Sequence, residues 1–383
     1  MLRMLLDWSA RKKRKIYVAT VNHNLRKEAA KEAEFVSDLC ARFGVPHEIL
    51  DWSGWKQRGN LQDAARNARK TLLSEWAQRN TLSVVLIGHT QDDQAETVLM
   101  RMLRGSGVDG LAGIYPLEAG DGFDWLRPLL GYHRQELREY LRVLGQTWMD
   151  DPSNTQTRFD RVKLRQVLSQ LNDAGFSTRG LITTGENMKR ARHFLEGALV
   201  DHANDMCQVT KAGSIIIDRT KFARLSAELR YRLLAHCLKH ISGNAYPPRL
   251  AALSHLETLV SKQEPSALHG CFLRPVRPDL IEVSREVSAM PLCVGDDGMF
   301  DGTWKISQNG EKSGIMIKAL GETGLSQIKD WRDIGLSRYA LMATPAVWRK
   351  QQLIAAPIAG MCNGYTCRLT RGYHEFLTSI QTH

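Results

Sequence analysis

The stretch LIGHTQDDQAETVLMRMLRGSGVDGLAG, residues 86–113, constrains the fold more than any other part of the chain. Val84 to Gly88 is a short apolar run of the buried-strand kind, His89 stands at its C-terminal end, and Leu99, Met100 and Leu103 follow at helical spacing. A strand that passes through a polar turn into a helix is the repeating unit of an α/β sheet, and such sheets hold ligands in the crevice beyond their strand ends. Asp92, Asp93 and Glu96 open the helix, and Asp93 and Glu96, three apart, share a face beside His89. Two carboxylates there suit Mg2+ or an ammonium group. Arg104, Gly105 and Gly107 then close the helix with basic charge and flexible backbone. Acidic residues in a first helical turn also cap N–H groups and offset the macrodipole without any chemistry, which is the preferred reading for Asp92 alone.

The flanking sequence repeats the same alternation. Leu2, Leu5 and Leu6 give the N-terminal residues an amphipathic helical pattern that ends in the basic cluster RKKRK. Ile16 to Val21 reads as a strand, Lys27 to Phe43 as a helix and Pro46 to Leu50 as a short strand. Asn60 caps a helix to about Gln78 that carries Arg66 and Arg69 three apart. Leu126 to Leu130 reads as a last strand, Arg134 to Leu144 as a helix, and DDPSN as a closing turn. The pattern predicts an α/β fold built on a doubly wound parallel sheet. A helix from Arg158 to Leu171 then carries Arg161, Lys163 and Arg165, with Arg161 and Arg165 four apart; it is either a solvated face or a phosphate contact, and its place beside the sheet favours the latter.

Lysine and arginine outnumber the acids 52 to 41, a formal charge of +11, which favours a polyanionic partner such as nucleic acid. The seven cysteines show neither paired C-x-x-C spacing nor a disulfide framework, and read as free thiols of a reducing compartment. No apolar run approaches a membrane span and the N-terminus is not built like a signal peptide, so no membrane association and a cytoplasmic location are expected.

In order, NHNLR (22–26), ARNAR (65–69), GHTQDDQAET with LRGSGVDGLAG (88–113), RPLL (127–130), and DPSN with RVKLR (151–165) resemble bacterial tRNA(Ile)-lysidine synthetases. Those enzymes are N-type ATP pyrophosphatases of the adenine nucleotide alpha hydrolase-like fold. The resemblance implies ATP and Mg2+ as cofactors, with the CAU-anticodon tRNA(Ile) and free L-lysine as substrates. It further implies adenylation of the C2 oxygen of cytidine 34, then displacement of AMP by the lysine amine. On it, Asp93 and Glu96 serve lysine recognition or Mg2+, Asp93 being the candidate metal ligand; His89 serves the nucleotide or the cytidine pocket; and Arg69, Arg161 and Arg165 serve phosphates or activated base. Arg104 and the cluster Lys189, Arg190 and Arg192 are assigned to tRNA. A homodimer is compatible with the resemblance.

The family's N-terminal SGGxDS loop, whose backbone N–H groups would cradle pyrophosphate, does not occur in this sequence. MLRMLLDW looks like the helix that follows it, so an N-terminal truncation or misassigned start is expected, the alternative being a catalytically inert tRNA-binding remnant. A tRNA-thiolating relative would need cysteines near residues 88–113, and there are none. Asn22 stands where the family more usually has Asp, and Val162 where it more usually has Asn. Residues 1–172 are expected to form the catalytic domain, 180–288 a mainly helical tRNA-binding domain, and 290–383 a small α+β accessory domain with Gly-punctuated short strands.

Overall fold

A computed structural model describes residues 1–24, 27–53, 61–120, 122–150, 160–175, 177–244, 246–291, 299–308 and 315–381. It divides into two compact units, Met1–Arg192 and His193–Thr382.

The first unit opens with α1 (Leu2–Lys12), whose apolar side stays partly exposed; Arg3 lies over the Phe43 ring at 4.5 Å. Strand β1 (Val18–Asn22), helix α2 (Lys27–Arg42) and β2 (His47–Asp51) form a parallel βαβ unit, with Val18 opposite His47 and Asn22 opposite Asp51. Helix α3 (Leu61–Arg79) packs on β1 and also on β3 (Val84–Leu86), which pairs in parallel with a later strand. Helices α4 (Gln91–Leu103) and α5 (Val108–Leu111) follow, then β4 (Leu117–Ala119) and β5 (Asp124–Leu126), which form an antiparallel pair. The expected parallel α/β pairing is therefore present, in two ladders ordered β1-β2 and β3-β5-β4. The strand expected at Leu126–Leu130 ends at Leu126, where Pro128 begins a turn. Trp125 and Phe123 are buried with Ala77 and Val85 under α3.

Helix α6 (Arg134–Val143) leads to α7 (Asp160–Asp173) and α8 (Thr178–Met206); the sequence pattern alone predicts a helix from Glu186 to about Met206, and α8 starts eight residues earlier. The early start is explained by packing. Leu181 of α8 meets Leu99 of α4 and Leu164 and Leu168 of α7 in one apolar cluster. Gly185 lets the helix approach closely, since a Cβ there would sit 3.1 Å from Val98 Cγ2.

The second unit contains β6 (Cys207–Val209), β7 (Ile215–Asp218), α9 (Arg219–Arg224), α10 (Ala227–Ser242), α11 (Leu250–Lys262), β8 (Ser266–Leu268), β9 (Cys271–Arg277) and β10 (Leu280–Arg285). The five strands make one antiparallel sheet, β6-β7-β10-β9-β8, which packs against the helices of this region. Ile215, Ile217, Leu273 and Val283 alternate inward against Leu233, Leu234 and Leu238 of α10 and Leu256 of α11. Beyond it lie β11 (Met299–Phe300), β12 (Trp304–Gln308), β13 (Met316–Ala319), α12 (Gly321–Leu325), α13 (Arg338–Met342), β14 (Pro345–Arg349), β15 (Gln352–Ala355) and β16 (Tyr365–Leu369). They form two small sheets, β11-β12-β16 and β13-β14-β15. Helix α14 (Tyr373–Thr378) closes the described chain by burying Phe376 in the core of α10, where His236 Nε2–H donates to the Phe376 carbonyl at 2.8 Å and His240 Nε2–H to that of Arg371 at 3.2 Å. Trp304 and Trp348 are buried and Trp331 packs against the cluster of Trp348, as core residues rather than open stacking platforms. Among the described residues, six cysteines are free thiols, and no helix is long and apolar enough to cross a membrane.

Candidate active site

The N-terminus of α4 gathers three carboxylates and two guanidiniums at the end of β3. Thr90 is the N-cap, and Asp93, at the third helical position, accepts at Oδ2 from both the Thr90 N–H and the Thr90 hydroxyl, each at 2.8 Å. Half of Asp93 is thus committed to capping its own helix, worth about 1 kcal/mol. Its other oxygen, Oδ1, faces Arg134 Nη2 at 3.5 Å. Glu96, one turn on and only 2% exposed, accepts from Arg165 Nε on α7 at 2.6 Å and lies 3.7 Å from the same Arg134 nitrogen. Asp92 accepts the backbone N–H of Arg134 at 2.7 Å and has the His133 imidazole 3.8 Å away. Asp92 thus caps a neighbouring helix, in keeping with the structural reading favoured for it.

The electrostatics follow from burial. Taking Arg165 out of water disfavours its charge, but the hydrogen bond and field of Glu96, with Asp93 and Asp92 behind it, hold its pKa above the ordinary value. Arg165 is thus held as a cation against the Glu96 side chain. Removing one partner of such a pair costs about 3–5 kcal/mol, because the other loses its charge-assisted contact.

Two further clamps hold the loop after α4. Buried Gln94 accepts from Ile114 N–H at 2.7 Å and donates to the Ile114 carbonyl at 3.2 Å. Arg127, also buried, donates to the Tyr115 carbonyl at 2.9 Å and to Glu118 at 2.7 Å; Lys70 reaches Glu118 from α3 at 2.7 Å. Burial would raise the Glu118 pKa, yet these two cations leave it below the usual value.

A second constellation sits at the C-terminal ends of β1 and β2. Asn22 donates to Asp51 at 2.9 Å and to Asn24 at 2.8 Å. His23 Nε2 lies 3.1 Å from Arg69 Nη2 and meets the Trp52 ring edge-on with centroids 5.7 Å apart. Asn22, which departs from the family's usual Asp, thus donates to a carboxylate that an Asp would repel.

The remaining sequence candidates are spread along the first unit. His89 is half-buried at the end of β3, just before the cap, and Arg104 is exposed at the C-cap of α4. On α8, Lys189 and Arg192 stand over the Tyr115 ring at 5.5 and 5.3 Å, Arg192 Nε is 3.7 Å from Asp109, and Arg190 is exposed. Burial lowers the Lys189 pKa against the opposing pull of Glu186. The Arg161 side chain lies outside the described residues, as do Arg158 and the DPSN turn. Sequence reasoning missed Arg134, Gln94 and Arg127. For Arg134 there was a signal: a cation at the first position of a helix opposes the macrodipole and needs an acidic partner to sit there.

Known proteins provide a frame for this geometry. Residues 1–171 match the PP-loop domain family. Over 370 residues the chain is 41% identical to the tRNA(Ile)-lysidine synthase of Ruegeria pomeroyi, covering 96% of this chain and 88% of that one. This chain belongs to the tRNA(Ile)-lysidine synthase family. Other members are similar at lower identity: that of Wolbachia pipientis wMel at 33% over 75% of this chain and 68% of its own, and that of Methylobacterium nodulans at 38% over 68% and 76%.

Among the described residues, no group of three or more His, Cys, Asp or Glu is arranged to hold a metal ion. Asp93 fits Mg2+ poorly: one oxygen accepts two hydrogen bonds, and the other faces a guanidinium that would repel a dication.

Proposed function

We propose that this chain forms lysidine on the CAU-anticodon tRNA(Ile), using ATP and free L-lysine. In the first step the C2 oxygen of cytidine 34 attacks the α-phosphorus of ATP. An O–P bond forms, the bond to the bridging oxygen breaks, and pyrophosphate leaves. In the second step the ε-amine of lysine attacks C2, the C2–O bond breaks with AMP as leaving group, and one ammonium proton is lost. A cytosine carbonyl is a poor electrophile until its oxygen is made a leaving group, which is why the nucleotide must be spent first.

The observation that carries this reading is the pairing of Asp93 with Glu96 at the end of β3, in a chain of this family. The amine arrives as an ammonium and has to be bound, oriented and deprotonated. Asp93 Oδ1 and Glu96 Oε1, two oxygens addressed by a single guanidinium nitrogen, suit the first two tasks, and carboxylates assist the third. Arg165 fixes Glu96 so that its position is set before substrate enters. Arg69 and His23, at the ends of the parallel strands, are assigned to the nucleotide, His89 to the nucleotide or the cytidine, and Arg161 to phosphate. Mg2+ is proposed to travel on the ATP phosphates, and no step is assigned to it on Asp93. Lys189, Arg190, Arg192 and Arg104 are assigned to the tRNA backbone. The same reading puts the enzyme in the cytoplasm, with its tRNA and free lysine, and is compatible with a homodimer.

The test is transfer of radiolabel from lysine to minor isoleucine tRNA in the presence of ATP and Mg2+. ATP-dependent label on the tRNA is the expected result; tRNA binding with no transfer under any ATP or lysine concentration would sink it.

A further inference from the structure

We propose that Arg134 is a resident counter-cation of the lysine site: it holds the place between Asp93 and Glu96 that the substrate ammonium takes, and thereby sets how tightly lysine binds. The inference rests on the reading of Asp93 and Glu96 as the amine site.

The two arginines of the cluster are held in different ways. Arg165 is hydrogen-bonded to Glu96 at 2.6 Å, a formed charge-assisted contact. Arg134 Nη2 stands 3.5 Å from Asp93 Oδ1 and 3.7 Å from Glu96 Oε1, beyond the 2.7–2.9 Å of such a contact, so its hold is Coulombic and loose. Its backbone is nonetheless fixed, because its N–H is bonded to Asp92 at 2.7 Å and α6 begins there. A pinned backbone with a loosely held side chain, 37% exposed, describes a group that swings aside while its anchor stays in place.

Charge balance points the same way. Asp92, Asp93 and Glu96 face Arg134 and Arg165, and these five side chains together carry a formal charge of −1. Were Arg134 to turn into solvent, the pocket would carry −2, and an arriving ammonium would restore −1. Exchange of one monocation for another conserves the field, which a dication or a neutral amino acid side chain would not do. The position of Arg134 at the first residue of α6, where the helix dipole disfavours a cation, makes its departure easier still.

Titration of the free protein with lysine, followed by calorimetry, tests this. Arg134→Gln removes the competing charge and is expected to tighten lysine binding about three-fold or more, as for a unit charge lost at a partly solvated site. The KM values for ATP and tRNA should not move, and Arg134→Lys, which keeps the charge, should bind lysine close to the unaltered protein. Weaker or unchanged lysine binding in Arg134→Gln would overturn the proposal and leave Arg134 a fixed strut. Asp93→Asn separates the two levels: it is expected to weaken lysine binding. If it does so while Arg134→Gln fails to tighten it, this inference alone falls; if lysine binding ignores Asp93→Asn, the amine-site reading falls and takes this inference with it. Should Arg134→Gln not fold, methylguanidinium serves with the unaltered protein. It should compete with lysine and not with ATP, and inhibition that lysine cannot relieve would overturn the proposal.

Discussion

On the proposed reading, Glu96 joins stability to chemistry in a single side chain. It is buried, held by Arg165 at 2.6 Å, and its Oε1 also faces Arg134. Glu96→Ala would remove the carboxylate that Arg165 and Arg134 both address, leaving Asp93 to face Arg134, at a cost of about 3–5 kcal/mol. Urea unfolding should show a matching drop in midpoint, and lysine transfer should be lost. Replacing both partners, Glu96→Met with Arg165→Met, should recover most of the stability and none of the transfer, since the stranded charge is gone and so is the anchor. A single Glu96→Ala variant as stable as the parent would mean that Arg165 has another partner of equal worth. Asp93 differs in kind. Its capping oxygen and its site oxygen are separate atoms, so Asp93→Asn, which keeps one carbonyl oxygen, is expected to cost about 1 kcal/mol in stability while impairing lysine binding.

At the scale of elements, the N-terminal turn of α4, which presents these groups, is tied down twice. Gln91 N–H donates to the Tyr132 carbonyl at 2.9 Å ahead of α6, and Gln94 clamps Ile114 beyond the RGSG turn. The second clamp depends on Gly113. Its φ is +70°, and a Cβ there would lie 2.7 Å from Gln94 Oε1. Gly113→Val is therefore expected to lose about 2 kcal/mol or more, from the left-handed backbone and the broken clamp together, read as a lower melting temperature. The elements that carry strong periodicity were legible beforehand: α1, α2, α4 and α6 fall within a few residues of their expected places. The early start of α8 was not, because what makes 178–185 helical is contact with α4 and α7, and no local pattern announces it. Nor were β4 and the strand order of the five-stranded sheet of the second unit, which are fixed by pairing rather than by propensity. In the site, the acidic residues were visible because they cluster along the chain. Arg134 and Arg165 reach Glu96 from 38 and 69 positions away, a proximity that only the fold creates.

For the whole molecule, charge and pH make separate demands. The formal charge of +11 predicts that tRNA affinity falls steeply with salt, and Arg190→Ala, on an exposed site, should reduce the slope of log K against log salt by about one. Lys189→Ala should change it less, since that side chain is half-buried over Tyr115. The second unit contains its own acid sensitivity. His236 is packed against Phe376 and held by burial at a pKa of about 4, and His240 is lowered as well, also by burial. A histidine whose folded value lies below its unfolded value of about 6.5 binds more protons unfolded than folded between the two, so stability rises with pH across that window. The contribution is fully present above the unfolded value and is lost as pH falls toward 4, by up to about 3 kcal/mol for His236. The first structure to feel it is α14, because both imidazoles donate to carbonyls of the segment that begins and carries that helix. Melting temperature should therefore fall between about pH 6.5 and pH 4 in the parent protein and fall less in His236→Gln, whose amide keeps a donor for the Phe376 carbonyl without gaining a proton. Hydrogen exchange should show the amides of α14 opening ahead of those of α10 in that window. Equal acid sensitivity in parent and variant would place the titrating group elsewhere.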